Sequence, residues 1–416
     1  MLDLDIINRT VKIIIITSSF PRDIKDNSGL FVKEQILNLL HFYPDLKFHV
    51  LVSSYFGFDN SKKDQSGRYK ITRFHYFLPF FEKLAGNNIL STLKNNKFYY
   101  LLIPFYVIFQ FFNLFILTIR LKPDLIYAHW FTPQAINAYL VSKLLKVPYS
   151  FTSHSSDIEI LKNKLPILGK KLIRKVILNS KSISTPSKAI SDKVEFYLSD
   201  TERKKINISV IPMGVNTLGF QSTKEKQFKE LINTEFIFFI GNFVEKKGID
   251  LLIRAFSKIE KLQENYKLVI AGDGYLMNYY MDLVRELNLQ KKVIFTGKIG
   301  MEEKKFLYKN CSLVVVPSIK TQNNDIEGMP VVLLEAMYFN NICITSEYAN
   351  PRDLIIDGKN GFIIVDIDVS KLSECIYKVI NMEEQKKELI KKQAFLKAQM
   401  FDSYNSATNF YEKLLK

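Results

Sequence analysis

Short runs of β-branched and aromatic residues recur along this chain, each followed by a stretch of helical period, and this alternation constrains the fold more than any single residue does. Residues 12–19 (KIIIITSS) form the first run, which breaks at Phe20-Pro21 as a buried first strand of a parallel sheet does. Residues 48–53, 70–75, 148–154, 182–186 and 208–212 repeat the pattern in the first half. Residues 236–240, 267–271, 293–296, 313–316, 342–345 and 361–365 repeat it in the second. Strands separated by helices pair in parallel, because a parallel neighbour needs a crossover connection. The chain has 416 residues, too many for one ordinary core, so it reads as α/β with two parallel-sheet domains. The polar segment 217–234 reads as their linker, and residues 400–416 as a final helix.

Hydrophobic residues make up 47% and charged residues 24%, the proportions of a folded globular protein. The formal charge of +16 suits an anionic partner. Its lysines are scattered and accompany no zinc-finger or single-strand-binding signature, which favours membrane surface and phosphate over nucleic acid. Cys311, Cys343 and Cys375 lie far apart without metal spacing and read as buried small residues of a reducing compartment. The start, Met1-Leu2-Asp3-Leu4-Asp5, lacks the basic segment and apolar core of a secretory signal, so a cytoplasmic location is expected.

Residues 314–345 carry the densest chemistry. A strand enters a polar loop that ends at Glu327-Gly328-Met329-Pro330, and a helix follows from Val331. Pro330 reads as the first helical residue, where its missing N–H is harmless. The amides of Met329, Val331 and Val332, with the positive end of the helix dipole, form a seat for phosphate. Glu327 lies just before that seat and Glu335 about one turn beyond it. Two hydroxyl-accepting carboxylates flanking a phosphate seat match a nucleoside-diphosphate sugar. In the first half, Gly29 sits between the first strand and its helix, where a glycine permits close approach of ligand to backbone.

Residues 327–337 (EGMPVVLLEAM) resemble the E-x7-E signature of the retaining glycosyltransferases of family 4. Residues 239–248 (FIGNFVEKKG), 271–274 (AGDG), 293–297 (VIFTG) and 357–362 (DGKNGF) are similar to the family in order and spacing. In the first half the resemblance rests on 122–129 (KPDLIYAH), 152–157 (TSHSSD), 212–216 (PMGVN) and the Gly29 loop. It implies a GT-B fold, two Rossmann-like domains facing across a cleft: an acceptor-side domain over 1–213, a nucleotide-sugar domain over 214–398, and a helix over 399–416 crossing back. It implies His154 and Glu327 as catalytic residues beside the sugar. Donor binding falls to Gly29, Asn242, Lys247, Met329, Val331, Val332 and Glu335. The implied donor is a UDP- or GDP-sugar, with no metal and no other cofactor. The implied acceptor is a saccharide or a lipid-linked sugar in bacterial cell-surface polysaccharide or glycolipid synthesis, such as lipopolysaccharide or capsule.

The chain departs from the family at Asn242, where many members carry arginine, so a charged bidentate phosphate contact is lost and Lys247, with Lys246, carries more of the load. Two other readings accompany this one: a nucleotide-sugar epimerase of the same architecture, and a non-catalytic membrane-associated binding protein.

Residues 98–119 (FYYLLIPFYVIFQFFNLFILTI) are uncharged. Their length suits a transmembrane helix, but Pro104, Gln110 and Asn113 interrupt them and a cytosolic sheet strand follows at once. A core helix, an interfacial helix and a span are the three readings. Lys94, Lys97, Arg120 and Lys122 flank the segment, so an interfacial helix would dock on an anionic membrane, peripheral on its inner face, and bring lipid-linked acceptors to the cleft.

Overall fold

Four consecutive isoleucines, Ile13 to Ile16, make the C-terminal part of strand β1 (Val11–Ile16), and all four are buried. A strand apolar on both faces has to lie inside a sheet covered on both sides. β1 accordingly pairs in parallel with β2 (Leu46–Ser53) on one side and β4 (Leu125–His129) on the other. With β3 (Lys70–Phe74), β5 (Tyr149–Thr152), β6 (Ile183–Thr185) and β7 (Ile208–Val210) it forms a seven-stranded parallel sheet of order β3-β2-β1-β4-β5-β6-β7. Ile14 and Ile16 face a core with Tyr106 and Phe151; Ile13 and Ile15 face another with Val32, Ile36 and Phe410.

The computed structural model describes residues 10–23, 26, 28–57, 68–85, 89, 92–93, 96–154, 158–159, 161, 166–221, 228, 231–260, 263, 265–322 and 326–415. It divides into two compact units, Met1–Ile211 with Ala407–Lys416, and Pro212–Ser406. The second unit is a six-stranded parallel sheet of order β10-β9-β8-β11-β12-β13. Its strands are β8 (Phe236–Ile240), β9 (Lys267–Ala271), β10 (Val293–Gly297), β11 (Leu313–Val316), β12 (Cys343–Ser346) and β13 (Phe362–Ile364). Phe236 and Phe238 pack with Leu333, Leu334 and Met337 on one face, while Ile237 and Phe239 pack with Leu252 and Phe256 on the other.

The segment 217–234 is more than a polar linker. Phe220 and Leu231 are buried in the second unit's core, and the break between units falls at Ile211–Pro212. Val215 N–H donates to the Phe401 carbonyl at 2.8 Å, and the Val215 carbonyl accepts from Ser403 Oγ at 3.1 Å, tying the start of the unit to its end. The last helix, Ser403–Phe410, runs into a wide turn, Tyr411–Leu415. Phe410, Leu414 and Leu415 are buried in the first unit, where Ser182 Oγ donates to the Leu414 carbonyl and Lys181 Nζ to that of Leu415. Cys343 is buried, Cys311 and Cys375 only partly so, and all three are free thiols.

The uncharged segment connects β3 to β4. A 3-10 turn, Lys97–Leu102, leads into the α-helix Ile103–Leu121, with Pro104 in the first turn. By length and mean hydropathy (2.1) residues Lys97–Leu121 could cross a membrane. The helix buries a single stripe, Tyr106, Gln110, Leu114, Leu117 and Thr118, and leaves its opposite face exposed. Gln110 Oε1 accepts Asn137 Nδ2 at 3.0 Å, and the same amide reaches the Val107 carbonyl at 3.1 Å. Of the flanking cations, Lys94 lies outside the described residues. The helix after β4, Ile136–Leu145, starts only at Ile136, because Thr132 is extended (φ −109°, ψ 122°) and a wide turn, Phe131–Ala135, precedes it.

Candidate active site

In both units the residues singled out in the sequence lie after the C-terminal ends of parallel strands, the edge where open α/β sheets bind ligands. In the second unit the chain leaves β8 through Gly241 and the exposed Asn242, makes the 3-10 turn Glu245–Lys247, and ends it at Gly248. Gly248 has φ 63°, and a Cβ there would lie 2.1 Å from the Pro317 carbonyl oxygen. Only glycine lets this turn press against the end of β11. That contact delivers Lys247 Nζ to 3.2 Å and Lys246 Nζ to 3.8 Å from Glu327 Oε1. Glu327 is itself fixed by its backbone: its N–H donates to the Tyr348 carbonyl at 3.2 Å, and its carbonyl accepts Asn350 Nδ2. Burial works to raise the Glu327 pKa, but the charges of Lys247 and then Lys246 outweigh it and hold the carboxyl below its ordinary value. Glu327 is therefore an anion shared by two ammonium groups.

The helix after this loop is Val331–Tyr338. Pro330 is its cap and not its first residue: the ring fixes φ at −69°, a helical value, but ψ is 127° and the backbone is extended. The amides of Val331 and Val332 open the helix and have no acceptor within it. Met329 lies just ahead of Pro330, its side chain packed in the core with Leu333 and Leu334. Glu335, 4% exposed, accepts Lys304 Nζ at 2.5 Å and Tyr308 Oη at 2.9 Å. Burial and the adjacent Glu335 charge push the Tyr308 hydroxyl well above its ordinary pKa, so it stays a donor. Lys304 and Tyr308 sit one turn apart on the helix Met301–Asn310. Sequence reasoning missed both; their only signal is an i, i+4 pair on one helical face, and such a pair does not announce a partner on another helix.

In the first unit Gly29 precedes the helix Leu30–Phe42 with φ 68°, and a Cβ there would meet the Ser19 carbonyl at 2.2 Å. The glycine thus packs its loop onto the end of β1. Two residues on, Phe31 turns its ring edge-on to His154 (5.1 Å), Trp130 (5.6 Å) and His129 (5.8 Å). His129 ends β4, and its Nδ1 lies 3.0 Å from His154 Nε2 with the rings stacked at 15°. Burial lowers the His154 pKa to about 3 and, helped by the neighbouring His154, drives His129 far below its ordinary value. Both rings are neutral at neutral pH, and one N–H bridges them. His129 Nε2 is buried without a partner. Asp157, of the same sequence motif as His154, lies outside the described residues.

The structure thus brings Gly29 and His154 together around Phe31 in one unit, and Glu327 and Lys247 together ahead of Val331 in the other. Glu335 faces Lys304 and Tyr308 and not Lys247, and Asn242 points into solvent. Among the described residues no three or more His, Cys, Asp or Glu side chains are grouped to hold a metal ion.

Two parallel α/β units carrying an anion-suited helix start and lysine-bound glutamate define the class of GT-B glycosyltransferases. The family described as Glycosyltransferase Family 4 matches residues 35–217, and that described as Glycosyl transferases group 1 matches residues 221–394. An uncharacterized glycosyltransferase of Methanocaldococcus jannaschii is 32% identical over 270 residues, 64% of this chain and 68% of the relative. The chain belongs to this glycosyltransferase family. An alpha-1,4-N-acetyl-D-galactosaminyltransferase of Campylobacter jejuni, named for an acceptor on diphospho-undecaprenol, is 33% identical over 202 residues, 48% of this chain and 51% of its own. Anabaena HepE, solved in complex with UDP-glucose, shares the fold with a TM-score of 0.69 at 15% identity, covering 96% of this chain and 98% of its own.

Proposed function

We propose that the protein moves a hexose-type sugar from a UDP- or GDP-sugar to a saccharide or lipid-linked acceptor in cell-surface polysaccharide or glycolipid synthesis, with retention at the anomeric carbon and without a metal. The observation that carries this is the pairing of Lys247 with Glu327 at the approach to Val331. When the sugar–phosphate bond breaks, charge develops on the departing diphosphate, and Lys247 with the amides of Met329, Val331 and Val332 stabilises it. Glu327, kept ionised by the same lysines, accepts a sugar hydroxyl. Glu335 offers two oxygens with about four acceptor positions; Lys304 and Tyr308 use two of them, and ribose hydroxyls take the rest. Neutral His154, engaged through Nε2 by His129, keeps Nδ1 for a further hydrogen bond. The UDP-glucose complex of HepE supports a uridine donor, and the undecaprenol-linked acceptor of the Campylobacter relative supports a lipid-linked one.

The test is to supply labelled UDP- and GDP-sugars with a bacterial lipid extract and measure label in the organic phase and in oligosaccharide, with and without chelator. Transfer that survives chelation is the expected result. Absence of transfer and of donor hydrolysis with every donor overturns the reading.

A further inference from the structure

The first unit carries an apolar surface that this chemistry does not use. Along the helix Ile103–Leu121, Phe105, Ile108, Phe109, Phe112 and Ile116 are 43–54% exposed. The turn Pro79–Phe81 adds Leu78 and Phe80, at 63% and 59%. Aromatic contacts join the two: Phe81 lies 5.5 Å from Phe80, 5.8 Å from Phe98 and 5.9 Å from Phe77, and Phe77 lies 5.1 Å from Phe105. A contiguous apolar patch on a soluble surface marks an interaction site.

The turn is held in place from below. Glu82, 1% exposed, accepts Tyr76 N–H at 2.6 Å, Phe77 N–H at 3.2 Å and Ser54 Oγ at 2.5 Å, and lies 2.7 Å from His75 Nδ1. A buried carboxylate therefore orders a turn whose tip is Leu and Phe in water. The rim is cationic. Lys83 Nζ lies 5.0 Å from the Phe80 ring centre and 5.1 Å from that of Phe56, Lys97 is exposed at one end of the helix, and Arg120 and Lys122 are exposed at the other. Between Lys83 and Asp124 the sequence contains no acidic residue.

This charge pattern selects the occupant. A second copy of the chain would bring the same cationic rim against itself, whereas anionic headgroups complement it. The helix lies along such a surface and does not cross it, because its buried stripe is packed in the first unit's core and Gln110 is bonded to Asn137. We propose that this face docks the protein on an anionic lipid bilayer, with the aromatic face and the Leu78–Phe80 tip in the headgroup region. Membrane docking extends the proposed function by naming where the acceptor is met.

The experiment is sedimentation of the full chain with vesicles of phosphatidylcholine alone or mixed with phosphatidylglycerol. Binding to the mixed vesicles only, reversed by salt, is expected. The triple variant Phe109→Ser, Phe112→Ser, Ile116→Ser and the single variant Phe80→Ser each weaken it, the triple by at least about tenfold. Thermal unfolding shows that each variant is folded, and UDP titration of the same samples reports the donor site, so loss of docking is distinguished from failure of the glycosyltransferase reading. Equal binding by folded variants, or none by wild type, overturns the proposal. So does a dimer in light scattering that the triple variant dissociates, which makes the face a self-association surface, and so does retention through alkaline carbonate, which makes the helix a span.

Discussion

Two helices of nearly equal apolar character have opposite surroundings. Val331–Tyr338 is apolar but for Glu335, and Leu333, Leu334, Ala336 and Met337 are fully buried. Ile103–Leu121 is as apolar on average, yet it buries one stripe, half-buries the flanks of that stripe and exposes the opposite face. The short helix uses its end: burial fixes the amides of Val331 and Val332 and the carboxylate of Glu335. The long helix uses its side. Composition alone therefore does not say whether an apolar helix is core; the difference lies in which part of it is left to meet a ligand.

The comparison is tested most severely in the short helix. Leu334→Ala should cost about 2–5 kcal/mol in urea unfolding, the range for a large-to-small change in a packed core, and a near-neutral result would mean that the helix is not clamped. Lys247→Ala should lower kcat/KM by about a hundredfold or more, near 3 kcal/mol of transition-state stabilisation; wild-type turnover would place the diphosphate away from this helix start. Glu327→Gln should lower kcat, while Glu335→Gln and Lys304→Met should chiefly raise donor KM, by about tenfold or 1.4 kcal/mol. Matching kinetic profiles for all three would show that the two carboxylates do not divide sugar from ribose.

Acid gives a smaller effect. The folded Glu327 pKa lies below the ordinary 4.5, so the unfolded chain takes up its proton first as pH falls. The stability Glu327 contributes is whole above about pH 4.5 and fades as pH falls through the folded value. The difference in unfolding free energy between wild type and Glu327→Gln should thus shrink from pH 7 to pH 4, and a constant difference would mean that the lysines do not govern it. Smallest of all, Phe112→Ser on the long helix should change stability by no more than about 0.5 kcal/mol, as an exposed substitution does. A cost like that of Leu334→Ala would make its face core after all.

Much of the fold was legible because parallel strands announce themselves. β8 falls on residues 236–240 (FIFFI), where β-branched and aromatic residues run unbroken, and β9 on 267–271 (KLVIA), where four apolar residues follow Lys267. Segment 98–119 was harder: when both faces of a helix are apolar, no period separates the stripe of Tyr106, Gln110 and Leu114 from the exposed side. Gln110 was read as an interruption, and it is an anchor. Pro330 was misplaced by one position because proline fixes φ and leaves ψ to its surroundings. The lysine-glutamate cluster could be read only as separate motifs, since Lys247 and Glu327 are joined by the sheet and not by sequence. Lys304 and Tyr308 escaped for the same reason, as did the contact of His129 with His154 across adjacent strands.

The return of residues 407–415 to the first unit has a consequence for the order of synthesis. The second unit, Pro212–Ser406, emerges from the ribosome whole. The first, although its seven strands are made earlier, lacks Phe410, Leu414 and Leu415 in its core until residues 407–415 are translated. Until then Ser150 and Ser182 have no Leu414 carbonyl to meet. A chain cut after Ser406 would thus keep the younger unit complete and leave the older one unfinished, with Ile13 and Ile15 of β1 uncovered where Phe410 packs.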